Sequence, residues 1–348
     1  MRWRGWWLGL AVLGCACSPW SLQPRAPWPA AETPGPVWPL PPEAPRIRFV
    51  GTISGPADLG LRAGWWRSLL DRVAGASSED RFIRPTGVAA GDLLLAVADP
   101  GGPALWVLDL RARRAHRVQQ AGPERLVSPV AVARGPDRSV FVADSSAAKV
   151  FAYGADGRLL RVIAPAGLRR PSGLAYDAAR DRLYVADSQA HQVWVLDGAG
   201  KAVGAIGRRG AGEGEFNFPT HVAVDDRGAL YVTDALGFRI QWFAPDGAFA
   251  GQLGRQGDAS GDFASPKGLA VDREGHLYVV DALFDAVQIF DRAGHLLLSV
   301  GQRGMGPGEF WLPNGMCIEQ GNRVYVADAY NQRIQLFDYL GVTDAPSP

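Results

Sequence analysis

Six aspartates recur along the chain, each at the end of a short apolar run, and carboxylates are side chains that can do chemistry. Catalysis on one substrate needs different groups that converge on one point, which six equivalent residues do not supply. A carboxylate at a strand end can instead accept backbone N–H bonds from the following turn. Ion pairing is the alternative, but three of the six residues found five positions later carry no charge: Ala104, Gln192 and Ala286. The spacing therefore favours an architectural role for Asp99, Asp144, Asp187, Asp234, Asp281 and Asp328.

Other reactive side chains are sparse. The chain has five histidines and three cysteines, and the sequence shows no catalytic triad, phosphate-binding loop or metal-ligand spacing. Cys317 lies within an apolar run, "GMCIE", and is most simply a small core residue. The sequence predicts no metal, cofactor or catalytic residue.

The aspartates belong to a unit of about 47 residues that predicts four strands. Each unit starts with a proline and a short apolar strand, and continues with a strand ending in Asp, a polar turn and two more strands. Six four-stranded units at this period predict a β-propeller. The predicted fold class is all-β, a six-bladed propeller of four-stranded antiparallel blades, and its prolines are Pro85, Pro129, Pro171, Pro219, Pro266 and Pro313.

The units resemble the NHL repeat, with its proline, "GVAVD"-like strand, "YVAD" and "RIQVF". Two matching stretches are "PTHVAVDDRGALYVTDALGFRIQWF" and "PKGLAVDREGHLYVVDALFDAVQIF". The resemblance covers roughly residues 85 to 341, and the first unit is its loosest copy. The whole chain is similar to bacterial envelope lipoproteins of the NHL-propeller type.

The last unit has only three strands before a tail over 342–348, which leaves its sheet one strand short. "RIRFVGTISG", Arg46 to Gly55, resembles the missing fourth strand when it is compared with "HLLLSVGQRG". Pairing of the two chain ends would close the ring and remove an exposed sheet edge. The propeller is therefore predicted over 46–341.

The chain begins with two arginines and a short apolar run, typical of a secretion signal over 1–14. "VLGC" resembles a lipobox and implies lipidation of Cys15; the alternatives are Cys17 or a plain secretory signal. Residues 15–45 are rich in proline and predict a stiff linker, although its tryptophans could dock on a partner. We expect a lipid-anchored protein of the bacterial envelope, by resemblance in the outer membrane.

Basic and acidic side chains nearly balance, 36 against 35. This balance argues against a polyanion-binding surface, so nucleic acid is not an expected partner.

One face of the predicted propeller carries the longer links. The links between blades and the turns between second and third strands share it, and we call it the long-loop face. Loops on a rigid scaffold are where binding normally lies. Aromatic residues that depart from the repeat form the candidate binding surface, with local packing as the alternative: Phe218, Phe238, Phe284, Trp311 and Tyr330.

A helical insertion is predicted at about 61–76. Its apolar residues recur at helical spacing and include Trp65 and Trp66. It either caps the ring or docks on a partner or a membrane surface.

Residues that follow the repeat prolines should approach the central channel. They are polar but include one histidine and no carboxylate, and the candidates are Thr86, Ser172, Thr220, His221, Lys267 and Asn314. Propeller enzymes such as the peptidyl-amidating lyase and gluconolactonase-like hydrolases hold a metal in the channel with several ligands. A single histidine falls short of a zinc site, which needs about three protein ligands.

These observations give two functional hypotheses. The first is a lipid-anchored scaffold that binds another envelope or secreted protein through the long-loop face. The alternative is a channel hydrolase or lyase of the propeller type, with or without a metal, and with a small ligand in the channel.

Overall fold

The structure, a computed structural model, describes residues 35–61, 80–319 and 322–341. Within these ranges the chain forms six antiparallel sheets arranged as propeller blades, together with one two-stranded hairpin. The helices described are two 3-10 turns, Pro56–Leu59 and Pro136–Arg138. No helix in the described ranges is long and apolar enough to cross a membrane. The predicted all-β six-bladed propeller is confirmed.

Blades one to five each use four strands in sequence order, with the first strand at the channel and the fourth at the outer edge. Blade one contains β3 (Gly87–Gly91), β4 (Leu94–Asp99), β5 (Ala104–Asp109) and β6 (Arg114–Val118). The hairpin β7 (Gln120–Ala121) and β8 (Glu124–Arg125) follows it. Blade two contains β9 (Pro129–Arg134), β10 (Val140–Asp144), β11 (Lys149–Tyr153) and β12 (Leu159–Ile163).

The next three blades repeat this arrangement. Blade three contains β13 (Pro171–Asp177), β14 (Arg182–Asp187), β15 (Gln192–Asp197) and β16 (Ala202–Ile206). Blade four contains β17 (Pro219–Val224), β18 (Leu230–Asp234), β19 (Arg239–Phe243) and β20 (Phe249–Leu253). Blade five contains β21 (Pro266–Val271), β22 (Leu277–Asp281), β23 (Ala286–Phe290) and β24 (Leu296–Val300).

Blade six joins the two ends of the chain. It contains β25 (Met316–Glu319), β26 (Arg323–Asp328) and β27 (Arg333–Tyr339), and its fourth strand is the N-terminal β2 (Ile47–Ile53). β2 pairs antiparallel with β27, and its residues Ile47, Phe49 and Ile53 are buried. The predicted closure by an N-terminal strand is confirmed.

A short fifth strand, β1 (Val37–Trp38), pairs with β2 at the outer edge of blade six. The Trp38 ring lies 5.9 Å from the Phe337 ring. Part of the segment predicted to be a linker thus packs on the propeller, because its tryptophan finds an apolar surface on blade six. The predicted signal at 1–14, the insertion after Leu61 and the tail at 342–348 lie outside the described residues.

The core consists of apolar side chains between neighbouring blades. In each of the three longest links, one phenylalanine is fully buried. Its ring packs against an aromatic ring in the third strand of the following blade. Burial of such a ring contributes about 1.5–3 kcal/mol. The ring pairs are Phe216–Phe243 at 5.7 Å, Phe263–Phe290 at 5.8 Å and Phe310–Phe337 at 5.9 Å.

Candidate functional site

The repeat aspartates are buried and bind the backbone of the long-loop face. In blade five, Asp281 accepts N–H bonds at 2.8–3.3 Å from the link before the first strand and from the turn after the second strand. Asp99 and Asp144 also bind both segments, as does Asp187. These bonds satisfy backbone N–H groups that have no partner in a strand. Each of these four aspartates therefore holds a link next to a turn.

In two blades an arginine takes over part of this role. Arg239 Nε lies 3.0 Å from Asp234 Oδ2, and Arg333 Nε lies 2.8 Å from Asp328 Oδ2. The other guanidinium nitrogens donate to backbone carbonyls of the long links. Burial raises the pKa of Asp234, while the Arg239 hydrogen bond acts in the opposite direction. Lys149, at the matching position of blade two, pairs instead with Glu124 at 2.6 Å.

Exposed apolar side chains recur at two equivalent positions on the long-loop face. The first lies two residues before the repeat proline, and the second lies two residues after the repeat aspartate. The two positions are neighbours, since Tyr330 N–H donates to the Trp311 carbonyl. Exposure ranges from 37% to 63%. We call this set the apolar arc: Ile83, Val127, Leu236, Leu283, Trp311 and Tyr330.

The arc extends over five blades and is interrupted at blade three. At the equivalent positions of that blade the chain carries Arg169 and Gln189, both exposed, and Arg170 follows in the link. Arg170 lies 6.0 Å from the Phe218 ring. Exposed apolar residues therefore recur on the long-loop face in five of the six blades, and blade three carries polar and basic residues at these positions.

The structure separates the predicted aromatic candidates into two groups. Trp311 and Tyr330 are exposed, and their rings lie 5.7 Å apart. Phe218, Phe238 and Phe284 are only half-buried, and Phe238 packs against the core between blades four and five. Trp65 and Trp66 lie outside the described residues.

Sequence reasoning missed four members of the arc: Ile83, Val127, Leu236 and Leu283. It looked for aromatic residues that depart from the repeat. The signal that could have found them was a large aliphatic residue at either of the two repeat positions, where most blades need no apolar side chain for packing. Its absence at blade three shows that the repeat does not require it.

The predicted channel residues lie at the beginning of the first strands, at the long-loop end. We call Thr86, Ser172, Thr220, His221, Lys267 and Asn314 the channel mouth. His221 Nε2 of blade four lies 3.2 Å from Asn314 Oδ1 of blade six, and its Nδ1 lies 3.2 Å from Thr220 Oγ1. The Thr86 and Ser172 hydroxyls donate to carbonyls of the next blade, at 2.9 and 3.2 Å. Hydrogen bonds thus connect neighbouring blades around the channel.

Glycines hold the first strands close together inside the mouth. A Cβ on Gly268 would lie 2.6 Å from the Asn314 carbonyl oxygen, and one on Gly315 would lie 2.4 Å from that of Thr86. The remaining cavity measures about 40 Å³ and is lined partly by His221 and Thr86. This volume accommodates a group of the size of a water molecule or a carboxylate.

Burial and charge determine the protonation of the mouth. Burial, together with the nearby positive charge of Lys267, lowers the pKa of His221 to about 3, so its ring is neutral at pH 7. Burial also lowers the pKa of Lys267, and the Asp281 charge acts against this effect. In the described part of the chain, no three His, Cys, Asp or Glu residues come together to hold a metal ion.

Solved structures share the fold at low sequence identity. A protein of unknown function from Bacteroides thetaiotaomicron VPI-5482 has a TM-score of 0.57 and 18% identity, over 76% of this chain and 71% of its own. Virginiamycin B lyase from Staphylococcus aureus has a TM-score of 0.55 and 13% identity, over 74% and 95%. A chain of the nidogen/laminin complex has a TM-score of 0.53 and 18% identity, over 70% and 86%.

Sequence families give a more specific result. No curated protein matches the chain significantly. Residues 274–343 match a family described as a 6-bladed beta-propeller. Residues 110–308 match the family described as Teneurin NHL domain. That match covers more than half of the 348 residues, and the chain belongs to this NHL domain family.

Proposed function

We propose that this protein is an extracytoplasmic scaffold that binds another protein through its long-loop face. The apolar arc is the observation that carries the proposal. It consists of large apolar side chains that lie exposed on a rigid ring and that the repeat does not require for packing. Large apolar side chains that are exposed together on one face are typical of protein-binding sites.

The surroundings of the arc support a binding role. The repeat aspartates fix the backbone of the links and turns that carry it, as shown by the bonds from Ile83, Val127 and Trp311 N–H to Asp99, Asp144 and Asp328. Binding therefore requires little ordering of these loops, which lowers the entropy cost of association. One relative by fold is a chain of the nidogen/laminin complex, an assembly of proteins.

The arc is tested by removing its apolar side chains without adding charge. We expect the triple variant Leu236→Ser, Leu283→Ser, Tyr330→Ser to keep its fold and to bind its partner at least about 100-fold more weakly. The matched control is Leu160→Ser, Val162→Ser, Val203→Ser, which removes exposed apolar residues from outer strands. The measurement is crosslinking capture from the cells of origin, with quantitative mass spectrometry and melting curves for both variants.

Two results would contradict the proposal. One is a partner captured equally by the arc variant and the wild-type protein. The other is a partner lost equally in the arc variant and in the outer-strand control.

The proposal includes an anchor at Cys15, which the "VLGC" motif supports. We expect metabolic labelling with palmitate to mark the wild-type protein and the Cys17→Ala variant, but not Cys15→Ala. Labelling that is lost only in Cys17→Ala would move the anchor to that residue. No labelling of the wild-type protein would leave a plain secretory signal.

A further inference from the structure

Lys267 differs from the other lysines of the protein. The sequence contains only three, Lys149, Lys201 and Lys267, among 36 basic side chains. Lys149 pairs with Glu124, and Lys201 is exposed. Lys267 is half-buried at the channel mouth, and within the described residues its ammonium group forms no hydrogen bond or ion pair. A partly desolvated charge without a partner is costly, so an anion there would be stabilising.

Among the described residues, the surroundings of Lys267 supply a second hydrogen-bond donor but no carboxylate that is available to pair with its ammonium group. Asn314 accepts a bond from the His221 ring through Oδ1, which leaves its Nδ2 hydrogens for another acceptor. His221 and Asn314 belong to blades four and six, on either side of blade five, which carries Lys267. The Lys267 charge acts on the His221 ring. The carboxylate that acts on Lys267, Asp281, already accepts backbone N–H bonds at both oxygens.

A lysine also suits a small, compact anion. Its ammonium is a compact charge with three donors, whereas the planar guanidinium of arginine needs more room and matches flat surfaces. The residue after Lys267, Gly268, lines the cavity of about 40 Å³ together with His221. A carboxylate concentrates a full negative charge on three non-hydrogen atoms, while a phosphate group is larger and tetrahedral.

The position of Lys267 connects the mouth with the apolar arc. It follows Pro266, which pairs with Asp281, and the exposed arc residue Leu283 lies two positions after that aspartate. Lys267 and the arc residue Leu283 therefore lie at the same end of blade five.

We propose that the channel mouth is a carboxylate-binding site, in which Lys267 Nζ and Asn314 Nδ2 hold an acidic side chain of the partner that docks on the apolar arc. The inference rests on the proposed function, since the arc supplies the flanking apolar contacts. It assigns the partner a class: a protein that presents an aspartate or glutamate between apolar residues.

The first test uses sodium acetate as the probe and lysine as the reporter. In protein labelled with ¹³C-lysine, three lysine ε-CH₂ signals are expected, and Lys267→Met identifies the one from the mouth. We expect acetate to shift this signal saturably, and the Lys149 and Lys201 signals to stay in place, with sodium chloride as the ionic-strength control. An unchanged signal, or an equal shift with chloride or phosphate, would overturn the carboxylate site.

The second test distinguishes a partner side chain from a free small acid. The probes are a blocked Leu-Asp-Leu peptide and its Leu-Asn-Leu counterpart. We expect the Asp peptide to bind at least tenfold more tightly than the Asn peptide, and Lys267→Met to abolish that preference. The arc variant should weaken both peptides. Acetate binding without any preference between the peptides would assign the site to a free small carboxylate. It would overturn the proposal that the carboxylate belongs to a partner protein.

The two proposals fail in different ways. If the acetate shift is absent but the arc variant loses its partner, the mouth site is wrong and the scaffold function stands. If acetate binds but the arc variant keeps its partner, the scaffold interface is wrong.

Discussion

Asp281 shows how one residue organises a whole end of a blade. It is fully buried and holds Ala264, Ser265, Leu283 and Phe284 through their N–H groups. We expect Asp281→Ala to lower the free energy of unfolding by about 3 kcal/mol, because each buried donor left without a partner costs roughly 1–3 kcal/mol and some can reach water. Urea denaturation followed by circular dichroism measures this change.

The control for this prediction is an exposed aspartate of the same chemistry. Asp246 accepts one N–H bond from Ala248 in the tight turn before the fourth strand of blade four. Asp246→Ala should change the free energy of unfolding by no more than about 0.5 kcal/mol. Equal effects of the two variants would refute the architectural role of the repeat aspartate.

His221 gives the protein a specific dependence on pH. Its pKa is lowered to about 3 in the folded protein, against about 6.5 in an unfolded chain. Below about pH 6.5 the unfolded chain takes up a proton that the folded protein does not, so stability falls as the pH falls. The slope from this group is at most about 1.4 kcal/mol per pH unit, and the remaining solvent access of the ring reduces it.

The variant His221→Gln isolates this contribution. Glutamine keeps a hydrogen-bonding group near Asn314 and does not titrate between pH 7 and pH 5. We expect the free energy of unfolding to fall more steeply over this range in the wild-type protein than in the variant. Parallel pH profiles would show that folding does not lower the pKa of His221.

At the scale of elements, β2 is the strand that closes the ring. It supplies six residue pairs to β27 and buries three large apolar side chains. Deletion of Arg46 to Gly55 should lower the melting temperature by more than about 10 °C. The deletion removes several kcal/mol of folding free energy, and each kcal/mol shifts the melting temperature by a few degrees. Differential scanning calorimetry measures it.

The short strand β1 provides the comparison for this deletion. The double variant Val37→Ser, Trp38→Ser removes its apolar contacts but leaves β2 in place, and we expect a fall of only a few degrees. If the protein that lacks β2 melts at the same temperature as this double variant, β2 does not close the ring.

At the scale of the whole molecule, the contact between first strands determines how tightly the ring closes. Gly315 N–H donates to the Thr86 carbonyl, and a Cβ at Gly315 would lie 2.4 Å from that oxygen. We therefore expect Gly315→Ala to push blades six and one apart and to cost roughly 2 kcal/mol of stability. Chemical denaturation is again the measurement.

Gly204 on the outer strand of blade three is the matched position. A Cβ there would meet no atom within 4 Å, and its φ is not in the left-handed region. Gly204→Ala should leave stability unchanged or raise it by up to about 1 kcal/mol, because alanine restricts the unfolded chain. Similar losses in both variants would mean that the close approach of the first strands is not what Gly315 provides.

The sequence by itself determined the repeat, the propeller fold and the strand that closes it. Apolar alternation, turn residues and the spacing from Asp99 to Asp328 are local signals, and six copies reinforce each other. It also indicated that the aspartate binds backbone, since a carboxylate at a strand end faces N–H groups of its own turn.

Only the tertiary structure decided which side chains share a surface. Leu236 and Trp311 belong to different blades and different repeat positions, and ring closure brings them onto one apolar arc. The same holds for His221 and Asn314, which meet across the channel although 93 residues separate them. Such contacts depend on how blades pack and on which rotamers fit, neither of which is encoded in a local pattern.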